Sequence, residues 1–406
     1  MDKVRLISTL RGASMGVFRA LPWIVMLSFL ILPGCTTAAK PEAQKAEYMF
    51  WPPAPDVPHI QFLTSISSTA DVTQKQDRLA TFLYGEDSTS DLPFERPYGV
   101  RMNDGKLYVC DASAAMVAIL DFRKKEVRLL GQTGQVHLSK PIDIAVAPDG
   151  VKYVTDTGHG AVLVYDATDH YAGRIAVPDL RPVAAAVRGN ELYVTDLAAS
   201  TVRIFDRFNG NKLRSIGEKG GGNGQFAGAM GMALDAQGNV YVNDVVTNRV
   251  QKLSGEGTFL WGIGGLGDHP GQFVRPKLLA VDSANYLYVV DFAFQNVQVF
   301  DANGFLLTYF GGSGGFPGAM DGPTGVCVSD TDLDLFAQYV HPAFAAQRLV
   351  FVTNNIGPRK INVYALGELK PGKTVADIMT GRVQGMFGLG EEPPADAVEL
   401  EPKTQP

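Results

Sequence analysis

The chain has 406 residues, 46% of them apolar and 19% charged, with a formal net charge of −6. The apolar fraction and 22 Phe exclude a wholly disordered chain, and the acidic balance argues against sequence-independent nucleic-acid binding. Three cysteines cannot supply a disulfide framework for a chain this long.

Residues 1–19 carry Lys3, Arg5, Arg11 and Arg19 against one acid, Asp2. An apolar run from Leu21 to Leu32, broken only by Pro22 and Ser28, ends in Leu32-Pro33-Gly34-Cys35. A basic head, a short apolar centre and a small residue before the cut describe an export signal. About a dozen residues cannot span a hydrocarbon core of roughly 30 Å. The Leu-x-Gly-Cys ending resembles the lipobox of bacterial lipoproteins. That resemblance implies acylation of Cys35 after removal of residues 1–34, hence a membrane tether in the bacterial envelope. Thr36, a non-acidic residue after the cysteine, implies the outer membrane. Residues 35–58 follow as a linker with Pro41, Pro52, Pro53, Pro55 and Pro58, a composition that favours an extended spacer. Tyr48-Met49-Phe50-Trp51, inside it, is expected to pack onto the folded body.

From residue 97 the chain repeats. The anchor phrase is Tyr108-Val109-Cys110-Asp111, then Tyr153-Val154-Thr155-Asp156, Tyr193-Val194-Thr195-Asp196, Tyr241-Val242-Asn243-Asp244 and Tyr288-Val289-Val290-Asp291. A worn copy, Phe351-Val352-Thr353-Asn354, ends the series. The steps are 45, 40, 48 and 47 residues, then 63, so the last unit carries an insertion. Each unit orders an apolar run, a tight turn such as Asp149-Gly150 or Gly238-Asn239, the anchor strand, an alternating strand such as Val297-Gln298-Val299-Phe300, a second turn and a fourth strand. Four short strands per period of this length mark a β-propeller blade, and the alternation excludes helical repeats.

The sixth unit holds only three strands. Phe62-Leu63-Thr64-Ser65-Ile66 matches the fourth-strand phrase Lys212-Leu213-Arg214-Ser215-Ile216, so residues 59–67 are expected to complete the last blade and remove the open seam. Leu79, Phe82 and Leu83 suggest a short helix between Gln74 and Tyr84. The expectation is an all-β, six-bladed propeller over 59–367, with an acidic, Pro-containing and largely disordered tail over 368–406.

Phe94-x-x-Pro97-x-Gly99 followed by Leu-Tyr-Val-x-Asp resembles the NHL repeat, as do Phe226-Ala227-Gly228 and Phe273-Val274-Arg275-Pro276. Asp156-Thr157-Gly158-His159 and Asn248-Arg249-Val250-Gln251 resemble further phrases of that family. The resemblance implies a six-bladed propeller but no single chemistry, because the fold carries lyases, lactonases and plain binding modules.

The anchor aspartates recur in every unit, so they are read as acceptors for backbone N–H groups of the adjoining turns rather than as catalysts. His137, His159 and His269 are expected on the face of the inter-blade loops. They come from opposite parts of the rim, too far apart to share a zinc ion, so no metal and no cofactor is expected. Arg96, Lys140, Arg181 and Arg275 precede repeat prolines or their equivalents. With Arg249 and His159 they form the candidate binding face, suited to a protein or an anionic partner. Asp330-x-Asp332-x-Asp334 opens the insertion, but Leu335 replaces the glycine that a calcium loop needs. Phe336, Tyr339 and Phe344 are expected on the opposite face, packed against the ring or forming a knob. Cys110 and Cys327 fall in blades that become neighbours on closure. The first strands offer mostly inert residues (Val100, Ile144, Ala185, Met232, Leu279), so no catalytic residue is assigned. The favoured reading is a lipid-anchored, non-catalytic binding scaffold, with a propeller lyase or lactonase as the alternative.

Overall fold

The computed structural model describes residues 48–73, 91–131 and 136–379. Cys35 with its signal segment, all of the expected helix at 74–84, and the chain beyond 379 lie outside the described residues.

Each repeat folds into an antiparallel four-stranded sheet, as Pro97–Asn103, Lys106–Asp111, Met116–Asp121 and Glu126–Leu130 do in blade one. The innermost strands of the other blades are Pro141–Val146, Pro182–Arg188, Ala229–Leu234, Pro276–Val281 and Pro323–Ser329. Each touches the innermost strand of the next blade, and the sixth touches the first, so the ring is closed. A proline suits the first residue of these strands, since its missing N–H falls outside the ladder.

The sixth sheet joins the two ends of the chain. Pro323–Ser329, Phe344–Asn354 and Ile361–Leu369 are followed by Ile60–Ile66, in register Ile66 to Ile361 and Ile60 to Leu366. A fifth strand, Met49–Trp51, pairs with Ile60–Phe62. These residues belong to the stretch read as linker, and they pack onto the folded body as expected of the aromatic patch, all three being buried, but they do so as a strand. Trp51 packs edge-on to Tyr364 at 5.8 Å and near Phe310 at 6.4 Å. Order also runs past the expected end at Gly367, through Leu369 to a short helix, Val375–Met379, that buries Ile378.

The hydrophobic core is distributed over the seams. Between blades one and two, Val117, Ile119 and Leu130 meet Ile144, Leu163 and Tyr165. Between five and six, Val297 and Phe310 meet Val352 and Tyr364. Each anchor tyrosine is buried in such a seam, with Tyr241 and Tyr288 fully enclosed. Strand faces that are apolar on both sides therefore pay off only when every blade has two neighbours, which is the physical reason the ring must close.

Hydrogen bonds reinforce four of these seams from the position just before the anchor aspartate or, in blade six, before Asn354. Thr155 Oγ1 donates to Val183 O at 2.7 Å, Thr195 Oγ1 to Met230 O at 2.7 Å, Asn243 Nδ2 to Lys277 O at 2.5 Å and Thr353 Oγ1 to Tyr98 O at 2.5 Å. Close approach is also sterically enforced. A Cβ on Gly99, Gly231 or Gly325 would come within 2.5 Å of a backbone carbonyl oxygen of the following blade.

The blade-six insertion forms a one-sided strap. Phe336 and Phe344 are buried, and Phe336 stacks edge-on to Phe122 and Phe351. Only Tyr339 of the three aromatics stays exposed, so the packed reading holds and no aromatic knob forms. Asp332 accepts the Gly105 N–H and the Ser329 hydroxyl, Asp334 pairs with Arg123, and Asp330 pairs with Arg348. These carboxylates are thus engaged by the protein, and no group of His, Cys, Asp or Glu among the described residues is arranged to hold a metal. Cys110 and Cys327 are buried and unbridged, and burial pushes both thiols up.

Candidate functional site

The site is assembled by the anchor aspartates. Asp111 accepts backbone N–H bonds from Glu95 and Arg96 on one side and from Ser113 and Ala114 on the other. Asp156 does the same with Ser139, Lys140, Gly158 and His159. Asp196 takes the N–H groups of Arg181, Ala198 and Ala199, and Asp291 those of Val274, Arg275, Ala293 and Phe294. A buried carboxylate holding up to four N–H groups is a strong local clamp. It fixes the residue before each repeat proline, and that residue is basic in blades one, two, three and five. Blades four and six have Gly228 and Gly322 there. The same repeat that builds the blade therefore also sets the basic side chains on the rim.

Three of those cations share one cavity. Arg96, Lys140 and Arg181, from consecutive blades, line a 570 Å³ hollow at the centre of the loop face. Its floor comes from the second residue of four inner strands, Tyr98, Ile142, Val183 and Met230, with Leu197 beside them. Ser113, Thr157 and Asn355 add neutral polar groups, and among the described residues no lining residue is acidic. Among the described residues, none of the three basic side chains has a carboxylate partner. Burial and the charge of Asp143 raise the Tyr98 hydroxyl above its usual range, so it stays protonated as a donor.

The other predicted residues lie apart from this hollow. Arg249 turns to the Gly222 carbonyl. Arg275 sits over the Phe292 ring at 5.7 Å, as does Lys277, also at 5.7 Å, whose ammonium is lowered by burial and by Arg275. His159 Nδ1 is 3.2 Å from Asp156, so it serves the blade-two clamp. His269 pairs with its neighbour Asp268 in the open.

Sequence reasoning missed Asp143, at the third position of the blade-two inner strand, next to Ile142 on the cavity floor. It is buried, one oxygen takes the Ala185 N–H at 3.1 Å, and burial outweighs the attraction of Arg101 to push its carboxyl up to about 6. The signal was present: Asp143 stands where the other blades have Gly, Ala or Leu. It also missed Gln251 and Gln298, whose amides clamp the Gly-rich inter-blade loops through Gly224 and Gln225, and through Gly271 and Gln272.

Neither a family profile nor a curated protein matches the chain. Solved structures do. A Bacteroides thetaiotaomicron protein described as a structural genomics protein of unknown function superposes with a TM-score of 0.51 at 16% identity, covering 75% of each chain. A streptogramin B lyase gives a TM-score of 0.47 at 13% identity over 68% of this chain and 95% of its own. Hydrazine synthase of Kuenenia stuttgartiensis gives 0.45 at 15% identity over 69% of this chain and 98% of its own. At such identities the likeness is one of fold, that of a six-bladed propeller, and no activity carries across.

Proposed function

We propose that the chain is an NHL-type propeller of the bacterial cell envelope, tethered to the outer membrane through acylated Cys35, and that it acts as a non-catalytic protein- or ligand-binding scaffold. The observation that carries this reading is the central hollow of the loop face, where three cations have, among the described residues, no carboxylate partner and no lining acid. Such a surface attracts anionic partners. The membrane tether and the envelope location rest on the Leu32-Pro33-Gly34-Cys35 ending, and the family on the repeat phrases.

Two experiments test it. Affinity capture from solubilised envelopes is expected to recover a partner with the native chain and to lose it with Arg96→Glu, Lys140→Glu and Arg181→Glu combined. Unchanged capture ends the binding-face reading. Cys35→Ser is expected to move the protein from the membrane fraction to the soluble fraction and to abolish labelling by a radioactive fatty acid.

A second reading, a lyase or lactonase working at the channel, draws on Asp143, whose carboxyl near 6 suits proton transfer. Turnover of a lactone or macrocyclic ester panel that disappears with Asp143→Asn would favour it over the scaffold.

A further inference from the structure

The hollow is not simply cationic. Its charges lie on blades one to three, and its floor of Ile142, Val183 and Met230 is apolar. A volume of 570 Å³ falls within the range of small-molecule sites and is too confined for a folded partner to enter. A fully hydrated inorganic anion would satisfy Arg96 and Arg181 but would leave the floor wet. An apolar ligand would cover the floor and leave the cations unmatched. Each alternative wastes half of the lining, so the complementary ligand carries both characters at once. The guanidinium forks of Arg96 and Arg181 match planar carboxylates, and the Tyr98 hydroxyl, with no hydrogen-bond partner among the described residues, adds a neutral donor beside them.

We infer that the central hollow binds a small amphipathic polycarboxylate, an apolar or aromatic body with two or three carboxylates on its edge, held by Arg96, Lys140 and Arg181 over Ile142, Val183 and Met230. This deepens the scaffold reading and rests on it. The anionic groups face blades one to three, and the body lies on the floor. Ligand binding thereby bridges four blades.

The test is calorimetric titration of the full-length chain in detergent with benzene-1,3,5-tricarboxylate. One molecule is expected to bind per chain, about tenfold or more tighter than sulfate or phosphate at matched ionic strength. The neutral benzene-1,3,5-trimethanol is expected not to bind. Arg96→Ala and Arg181→Ala each weaken the tricarboxylate about tenfold. Met230→Ala weakens the tricarboxylate but leaves sulfate unchanged, a difference that a general charge effect cannot produce. Both arginines are exposed, so these variants keep the fold, which an unchanged unfolding temperature verifies. Sulfate binding as tightly as the tricarboxylate overturns the inference, and so does tricarboxylate binding that ignores both arginines. No tricarboxylate binding, together with envelope capture that still depends on Arg96 and Arg181, ends the polycarboxylate proposal and leaves the scaffold standing. Loss of both ends the scaffold as well.

Discussion

Blade two and blade six solve the same problem with different chemistry. In blade two the buried Asp156 accepts four backbone N–H groups, two from the incoming loop and two from the turn after the anchor strand. In blade six the equivalent Asn354 accepts the Asp321 N–H at 3.1 Å and donates to the Arg359 carbonyl at 2.9 Å. The turn after Asp156 spans residues 157–160, whereas the one after Asn354 spans 355–360. The longer turn presents a carbonyl, and a carboxylate has nothing to donate to it. The worn repeat is therefore a repeat adapted to its loop. Blade six is also the blade stitched from both chain ends, so it bears the closure while blades one to three bear the cations.

The largest expected effect comes from undoing that closure. A chain beginning after Ser68 lacks the strands Met49–Trp51 and Ile60–Ile66, exposing the seams around Ile361 and Tyr364. It is expected to lose cooperative thermal unfolding, followed by circular dichroism; a melt like that of the parent chain would contradict circular closure. Next comes the clamp itself. Asp156→Ala strands four N–H groups and is expected to cost about 3 kcal/mol in urea unfolding, against roughly 1–2 kcal/mol for Asn354→Ala. Equal costs would show that the two anchors differ in name only.

Asp143 separates blade two from its neighbours in another way. Its carboxyl lies near 6 in the folded chain against an ordinary 3.8. The protonated form is the one the fold favours, so its contribution is complete below 3.8 and is lost as pH rises through 6. Asp143→Asn removes that loss. The variant is expected to be more stable than the parent by up to about 3 kcal/mol at pH 8, the gap closing towards pH 4. A pH-independent difference would mean that Arg101 keeps the carboxyl ionised. The smallest effect is Asn354→Asp, about 1 kcal/mol at neutral pH, from loss of the bond to Arg359 O; a stabilised variant would mean that the turn can reverse its polarity.

Much of this was legible before any coordinates, and for identifiable reasons. Asp111, Asp156, Asp196, Asp244 and Asp291 recur once per repeat at the end of the same phrase because every blade faces the same orphan N–H groups, so one residue type solves all five. The closing strand was legible because Phe62 to Ile66 repeats the pattern of Lys212 to Ile216. Other features had no local signature. The aromatics of Met49–Trp51 announce packing onto the body, but the surrounding prolines give no strand signal, and only the free edge of Ile60–Ile66 makes it a strand. Arg275 precedes a repeat proline as Arg96 does, yet it turns to Phe292, and Arg249 turns to Gly222.

The sequence by itself determined the blade: its period, its turns, its clamp and the pre-proline cation. Repeats encode what neighbours along the chain do to one another, and short-range chemistry is written residue by residue. Only the tertiary structure decided which cations meet. Arg96, Lys140 and Arg181 stand over 40 residues apart in the chain and share one hollow because six blades close around a common axis, while an apolar floor collects there from four separate strands. Convergence of that kind depends on the angle between blades, which no single repeat contains.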